Sequence, residues 1–488
     1  MKRIVLLLRP AAFLCAVLMA VSLVGCGFIE IRYPDSETTA EPGTTAASGS
    51  SAATDAVTDP PHTVQYPDRR DQARDALAAL PAIELSVRDL IIANSAAASE
   101  VIEPDAGDAL NAARVERNKM ACEKYGINLT VTRADDSELL AAFVNASSSG
   151  TYYADFAVIP ASSAALYFNS GIAADLRRLP FYTVPTDTEK AEGAGIAGSA
   201  CYFYCGAAVS DPDSRWALYF NRTLAGAGMS GELYRSALKN EFTWDKLFET
   251  VSAAQLADGT DALLCGGKEN SYFAADIACA AVGVSFVSHT TGKTPTVNYD
   301  VEKLTAAEEL IKRIAAVISA PGDGGDARFA EGRGLFLFGT LSDVRRIYDK
   351  NVEWGILPIP LASADAAYVS PAGEKSPVMV CTGGSARTEL DGAALAALNA
   401  ASGAWLDDAY ADASLESCLR DNDSYLTLRT VLGAEVKFDF AYIYAGATDN
   451  LTRATYGAAR NMLTEGKSLA AAIKAARSAA DREMGRLF

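Results

Sequence analysis

The residues of this chain that could do chemistry are short polar and aromatic side chains placed near the ends of predicted strands and helices. Aromatic rings offer flat apolar faces, and hydroxyl, amide and carboxylate groups exchange hydrogen bonds, so the combination suits a binding cleft. Each aromatic residue taken singly is more typical of a protein core than of a ligand platform. The candidates are Ser162, Ser163, Arg215, Trp216, Asn270, Tyr272, Thr340, Asp343 and Tyr368.

Motifs for catalysis are missing from the sequence. Of its two histidines, His62 lies in a low-complexity segment, so His289 alone would have to serve as the base of a hydrolytic triad. Neither a G-x-S-x-G nucleophile elbow nor an H-E-x-x-H zinc helix occurs. We therefore predict no catalytic residue and no cofactor. A glycosidase with paired carboxylates remains an open alternative, because acidic residues are abundant.

Two further segments could suggest bound phosphate or metal. Gly322–Gly334 is rich in glycine but lacks the G-K-[ST] ending that holds nucleotide phosphates, so we interpret it as a surface loop. Asp421-Asn422-Asp423 lacks the glycine and the distal glutamate of a calcium-binding hand, and it fits the start of a helix. The sequence predicts no metal site.

The first 26 residues predict an export signal. Lys2 and Arg3 precede a mostly apolar run, which Leu23-Val24-Gly25-Cys26 closes. A small residue before cysteine is typical of a lipobox, where cleavage leaves residue 26 to carry a lipid. A transmembrane anchor is the alternative, but the run is short and interrupted by Arg9-Pro10. We expect the chain at the extracellular face of a bacterial cell membrane, with residues 1–25 removed and Cys26 lipidated.

Composition after the signal indicates an acidic domain on a tether. Residues 26–83 are expected to form a disordered tether, because the stretch from Pro34 to about Arg74 is rich in Thr, Ala, Ser, Gly and Pro. The chain has 43 basic and 61 acidic residues, and loss of Lys2, Arg3 and Arg9 leaves 40 minus 61, a net charge of −21. Such a charge is a poor match for nucleic acid.

Strands and helices alternate along the rest of the chain. From Glu84 the patterns predict strands at Leu85–Ala93, Ile127–Thr132 and Ala154–Ile159, with helices between and after them. A second strand–loop–helix–strand unit runs from Gly334 to Leu357, with Gly339–Asp343 as its loop. This order indicates an α/β fold with parallel sheets flanked by helices. Ligands bind such sheets at the carboxyl ends of the strands.

Several motifs then resemble one family. Lys124-Tyr125-Gly126 ends a helix, G-[IL]-x-x-D-L occurs at 171–176, and Phe220-Asn221 ends a strand. Thr243-Trp244-Asp245 begins a helix, and the run from Phe336 closes with G-x-x-P-x-P at 355–360. Together they resemble extracellular solute-binding proteins of ABC importers, family 1, carbohydrate-type. Segments 421–424, 437–439 and 442–444 are similar to a clostridial-type branch.

The resemblance implies a two-lobed fold of the type II periplasmic-binding-protein class. Each lobe is expected to be a mainly parallel sheet flanked by helices, with the ligand cleft between the lobes. Lobe 1 would comprise 84–211 and 362–412, and lobe 2 would comprise 212–361 and 413–488.

In function, the resemblance implies a lipid-anchored, monomeric binding protein that captures a sugar or oligosaccharide and delivers it to the permease of an ABC transporter. In malto-oligosaccharide binders of this family, a Tyr-Phe pair places its tyrosine in the sugar cleft, and Tyr272 is the matching residue. Gly339 is followed by threonine where maltose-type members have tryptophan, and 160–163 lacks their aspartate, which argues against maltodextrin itself. The alternative is a secreted carbohydrate-active enzyme, or a sensor or adhesion module without a transport role.

Overall fold

The computed structural model describes residues 69–98, 101–102, 109–183, 196–197, 200–266, 272–288, 294–319, 324–347, 352–382, 387–419, 421–445 and 448–487. The expected signal, the Cys26 lipid site and most of the expected tether lie outside these ranges. Within them, no helix is both long and apolar enough to cross a bilayer.

Fourteen strands occur among the described residues. They are β1 (Asp89–Ser95), β2 (Asn128–Ala134), β3 (Phe156–Pro160), β4 (Ile196–Ala197), β5 (Ala200–Cys201), β6 (Trp216–Asn221), β7 (Asp261–Cys265), β8 (Val287–Ser288), β9 (Thr296–Val297), β10 (Gly334–Thr340), β11 (Trp354–Leu357), β12 (Val369–Pro371), β13 (Pro377–Cys381) and β14 (Glu435–Lys437).

Seventeen α-helices occur among the described residues. They are α1 (Arg70–Ala79), α2 (Ala109–Tyr125), α3 (Asp136–Ser149), α4 (Ala164–Asn169), α5 (Arg222–Leu238), α6 (Trp244–Ala253), α7 (Phe273–Ala281), α8 (Val301–Ala315), α9 (Gly325–Ala330), α10 (Val344–Ile347), α11 (Thr388–Ala401), α12 (Ala404–Ser417), α13 (Asn422–Leu432), α14 (Ala441–Ala445), α15 (Asp449–Arg453), α16 (Tyr456–Glu465) and α17 (Leu469–Met484).

The first sheet has the strand order β13-β3-β1-β2. β2, β1 and β3 run parallel, and β13 runs antiparallel to β3. The central strand Phe156–Pro160 is buried at every residue, as expected when helices cover both faces. Helices α2 and α11 pack against each other on this sheet's side of the molecule. The carboxyl ends of three strands therefore meet at one edge, near Ser95, Ala134 and Pro160.

The second sheet has the order β11-β6-β10-β7. β6 runs antiparallel to both of its neighbours, while β10 and β7 run parallel. Three of its four strands thus point the same way, as in the first sheet. The strand–helix–strand unit predicted from Gly334 to Leu357 exists, but its two strands are separated by β6. Asn221 caps α5 by accepting from the backbone N–H groups of Thr223 and Leu224.

Extended segments connect the two sheets, and we call β12 together with β14 the hinge ribbon. These two strands pair in parallel, Val369 with Glu435 through Pro371 with Lys437. The chain enters β6 beside them, and the backbone N–H of Trp216 donates to Ser370 Oγ at 2.8 Å. Because β12 follows the last strand of the second sheet and precedes β13 of the first, the ribbon lies at the crossing between lobes.

The last four helices contact both lobes. α14 packs against the 161–163 turn and α4, whereas α16 packs against α7 and α8. Phe168 of α4 meets Tyr444 of α14 with ring centroids 6.2 Å apart. As a result, one buried apolar cluster is continuous from Ile159 beside the first sheet to Phe336 in the second.

The helix α1 corrects one sequence-based expectation. Residues 70–79 were expected to belong to the tether, but they form a helix whose Ala73 and Leu77 are buried. Ala73 packs in a cluster with Ala113, Trp405 and Leu406. Arg69, just before the helix, also pairs with Asp408. Only two apolar residues of this helix are buried, so its stability depends on contacts with residues far along the chain.

Candidate ligand-binding site

The strand ends of the second sheet gather several predicted site residues. β6 begins at Trp216, and its first residue pairs with Thr340, the last residue of β10. On the other side of β10, Cys265 at the end of β7 pairs with Phe338. The chain after β7 leads to Tyr272 and α7. These four elements therefore present their ends at one edge of the sheet, where α/β proteins bind ligands.

Trp216 is held against Phe273 rather than left open for a ligand. The two rings stack with centroids 4.3 Å apart and an interplanar angle of 10°. Trp216 is 4 % exposed and Phe273 6 % exposed. The expectation that Trp216 is a ligand platform is wrong in this structure, because Phe273 and the surrounding core cover its ring.

Tyr272 is exposed, unlike the adjacent Phe273. It immediately precedes α7 and is 45 % exposed, among the most exposed large apolar or aromatic side chains of the described chain. An exposed ring beside a strand-end edge can stack on the apolar face of a ligand while its hydroxyl reaches polar groups. Among the described residues of this edge, Tyr272 therefore presents an exposed aromatic ring.

Arg460 of α16 joins this aromatic edge to a buried acid. Its Nη2 lies 2.6 Å from Asp276 Oδ2 on α7, and Tyr442 donates its hydroxyl to the same oxygen at 2.7 Å. Asp276 is 5 % exposed. Burial opposes the charge on Arg460, but attraction to Asp276 outweighs it, and the pKa of Arg460 is raised. Burial also raises the pKa of Asp276, although Arg460 and Tyr442 oppose the rise. The hydrogen-bonded pair fixes α16 against α7.

The free side of the Arg460 guanidinium reaches towards lobe 1. Its carbon lies 4.8 Å from the centroid of Tyr456 and 5.9 Å from that of Phe273. Its Nη1 lies 3.6 Å from Glu374 Oε1, in the loop that leads into β13. The backbone carbonyl of Glu374 in turn accepts from the N–H of Ser162 at 3.1 Å. We call Ser162, Tyr272, Phe273, Glu374 and Arg460 the interlobe site.

The interlobe site combines groups that suit a polyhydroxylated ligand. It offers an exposed aromatic ring, a guanidinium and a partly exposed carboxylate, and Ser162 adjoins it from the opposite lobe through its backbone N–H. Carboxylates accept and guanidinium groups donate hydrogen bonds in fixed directions, and the aromatic ring supplies an apolar surface. Sequence reasoning missed Arg460 and Glu374. No local pattern in the sequence marks either residue, because they are far apart along the chain.

Three other predicted site residues, Ser163, Thr340 and Asp343, have structural partners. Ser163 Oγ donates to Asp136 Oδ2 at 2.6 Å. Asp343 is 4 % exposed, and its Oδ2 accepts from the backbone N–H of Thr340 at 2.7 Å. The two residues form a capping box that fixes the turn after β10. Thr340 remains half-buried at the edge beside Trp216.

Tyr368 and Arg215 are not at the strand-end edge. Tyr368 is 7 % exposed, and its hydroxyl donates to the carbonyl of Ala237 at 3.0 Å, so its expected place in a cleft loop is wrong. Arg215 donates from Nη1 to the carbonyl of Ala434 at 3.0 Å, beside the hinge ribbon. Asn270 lies outside the described residues. In the described part of the chain, no three His, Cys, Asp or Glu side chains group as a metal site would require.

Comparison with known proteins identifies solved structures with a similar fold. No family model matches the sequence, and no curated protein matches it. Among solved structures, the cyclic alpha-maltosyl-1,6-maltose binding protein from Arthrobacter globiformis superposes with a TM-score of 0.52 at 15 % sequence identity. The match covers 82 % of this chain and 99 % of that one. This likeness establishes the fold. The chain has the two-lobed α/β architecture expected from its sequence.

A second solved structure is less similar. The GacH receptor of Streptomyces glaucescens, studied unliganded and with acarbose, has a TM-score of 0.46 at 16 % identity. That match covers 82 % of this chain and 99 % of the receptor chain.

Proposed function

We propose that this protein captures a sugar or oligosaccharide between its two lobes and delivers it to the permease of an ABC importer. The observation that carries the proposal is the interlobe site. On one lobe the exposed Tyr272 directly precedes Phe273, whose ring lies 5.9 Å from the Arg460 guanidinium, and Arg460 approaches Glu374, whose backbone contacts Ser162 on the other lobe. Two-lobed proteins of this kind enclose ligands by closing about a hinge, and the hinge ribbon supplies one here.

A carbohydrate fits this site better than other solutes of similar size. Sugars present apolar ring faces and a rim of hydroxyls, and the site presents one exposed aromatic ring with hydrogen-bonding groups around it. One solved structure with the same fold is named a cyclic alpha-maltosyl-1,6-maltose binding protein. A sequence identity of 15 % transfers the fold and not the ligand, so the particular sugar is left to experiment.

The function is tested by a binding screen on the purified full chain. Thermal shift over oligosaccharides, amino acids and polyamines should give a concentration-dependent stabilisation by at least one oligosaccharide, because ligands that bind only the folded state raise its stability. Isothermal titration then gives the affinity. Stabilisation by polyamines or amino acids alone would contradict the sugar assignment. Release of product from any oligosaccharide, in proportion to protein concentration, would favour the enzyme alternative.

We also propose that the chain is held at the extracellular face of the cell membrane by lipid on Cys26. The support is the run Leu23-Val24-Gly25-Cys26 after an apolar segment. In a host that processes lipoproteins, labelled palmitate should enter the wild-type protein and should not enter Cys26→Ala. Equal labelling of both would refute the anchor without touching the sugar proposal.

A further inference from the structure

A cavity of about 500 Å³ lies beside the crossing between the lobes. Its walls come from the start of α2, the crossing segment before β6, the turn between α11 and α12, and the hinge ribbon. Its volume falls within the range of about 300–1,000 Å³ that is usual for small-molecule sites. The wall residues that matter here are Leu110, Arg114, Asp211, Arg215, Leu406 and Asp407.

This cavity is separate from the interlobe site. Arg215 has an extended backbone, with φ −67° and ψ 132°, and Trp216 follows it as the first residue of β6. Consecutive residues of extended chain direct their side chains to opposite sides. Accordingly, Trp216 stacks on Phe273, whereas Arg215 turns to Ala434 and lines the cavity. None of the five residues of the interlobe site lines the cavity, although Ala372 and Ser376, in the same loop as Glu374, do.

The cavity contains four charged side chains, of which two pair with each other. Arg114 Nη2 lies 3.3 Å from Asp211 Oδ1, and both side chains are buried, at 10 % and 3 % exposure. That ion pair needs no further partner to balance its charge. It forms a neutral part of the wall.

Arg215 and Asp407 are the charges that the protein leaves incompletely satisfied. Arg215 uses Nη1 for the Ala434 carbonyl, and its other guanidinium donors make no hydrogen bond within the described residues. The carboxylate of Asp407 likewise accepts no hydrogen bond from any described residue. Burial raises the pKa of Asp407 to about 6, although attraction to Arg215 opposes the rise. At neutral pH the cavity therefore holds a cation and an anion that are both half-buried and that attract each other without a hydrogen bond between them.

We propose that this cavity is a second ligand site, which binds a small zwitterion of the α-amino acid class. The ligand's carboxylate would bind the guanidinium of Arg215, and the ligand's ammonium group would bind the carboxylate of Asp407. Leu110 and Leu406 offer an apolar wall for the ligand's side chain. A neutral sugar would leave both protein charges desolvated, whereas a zwitterion compensates both at once. A purely cationic or anionic ligand would compensate only one.

The proposal is tested by titrating the purified full chain with L-leucine near neutral pH. L-leucinamide lacks the carboxylate and N-acetyl-L-leucine lacks the ammonium group, so each should bind about tenfold more weakly or worse than L-leucine. Asp407→Asn should reduce L-leucine affinity by a similar factor. Asp412→Asn is the matched control, because Asp412 lies on the same helix, is exposed and does not line the cavity.

Each result decides the proposal. Absence of L-leucine binding up to millimolar concentration would overturn it, as would equal binding of the amide or the acetyl derivative. A folded Asp407→Asn protein with unchanged affinity would also overturn it. Asn keeps the size of Asp and removes a desolvated charge, so the variant is expected to fold. Sugar binding at the interlobe site is measured separately, so that failure of one proposal does not decide the other.

Discussion

Tyr272 and Phe273 show how burial separates two adjacent aromatic residues into different roles. Phe273 lies under Trp216 and the Arg460 guanidinium at 6 % exposure, whereas Tyr272 keeps 45 % of its surface exposed. A covered ring contributes to folding, and an exposed ring at a strand-end edge is free to meet a ligand. Phe273 therefore belongs to the core beneath the interlobe site, and Tyr272 belongs to its surface.

The first prediction concerns Tyr272. Once a sugar ligand is known, Tyr272→Ala should lose about 1–2 kcal/mol of binding free energy, a factor of roughly ten, while Tyr272→Phe should keep most of the affinity because it keeps the ring. The melting temperature should change little, since the side chain is exposed. Phe181→Ala is the control, because Phe181 is an exposed aromatic residue, at 41 %, outside the interlobe site. Unchanged affinity in a folded Tyr272→Ala protein would remove Tyr272 from the site.

At the residue scale, sequence reasoning identified residue types better than their surroundings. Tyr272 was predicted from a Tyr-Phe pair, and the structure leaves it exposed. Trp216 and Tyr368 looked equally suitable and are buried, because aromatic residues fill cores as readily as clefts. Arg460 and Glu374 could not be predicted, since 86 residues separate them and only the fold makes them neighbours.

Helix α11 illustrates how packing overrides local preference at the scale of an element. Alanine is usually favoured over glycine inside a helix by about 1 kcal/mol. At Gly392, however, a Cβ atom would lie 1.8 Å from the carbonyl oxygen of Pro180, in the segment that crosses over the helix. In α5, a Cβ at Gly231 would meet nothing within 4 Å. Glycine is therefore required for close approach at the first position and not at the second.

The second prediction compares these two glycines. Gly392→Ala should lower the free energy of unfolding by about 1–3 kcal/mol, because the backbone at Pro180 must shift. Gly231→Ala should raise it by about 0.5–1 kcal/mol, because the helix gains its usual preference at no steric cost. Urea denaturation of both variants measures the difference. Two changes of the same sign would contradict the argument from close approach.

Elements with strong periodicity were predicted close to their observed bounds. Thr243 was expected at the start of a helix, and it caps α6 by accepting from the N–H of Lys246 at 3.3 Å. The order of strands in the second sheet was not predictable locally, because β6 inserts between β10 and β11 from an earlier part of the chain.

For the whole molecule, the α/β class followed from the alternating pattern and the two lobes from the family resemblance, and both are confirmed. The contact of α14 with the 161–163 turn did not follow from the pattern, because an amphipathic helix does not specify which surface it covers. The helices after β14 also help to enclose Asp439, directly beyond the hinge ribbon. Its carboxylate accepts from the backbone N–H of Ala441 at 2.8 Å.

The last prediction is that the protein is more stable near pH 5 than near pH 8. Burial raises the pKa of Asp439 from 3.8 to about 7, so between these values the folded state binds a proton that the unfolded state has released. Stability therefore falls as pH rises through this window, by at most about 4 kcal/mol for a shift of this size. Asp439→Asn keeps the acceptor for Ala441 but cannot ionise, so its free energy of unfolding should change less between pH 5 and pH 8. Urea denaturation at a series of pH values measures both slopes, with Asp412→Asn as an exposed control on α12. Equal slopes for the wild type and Asp439→Asn would show that Asp439 does not carry the effect.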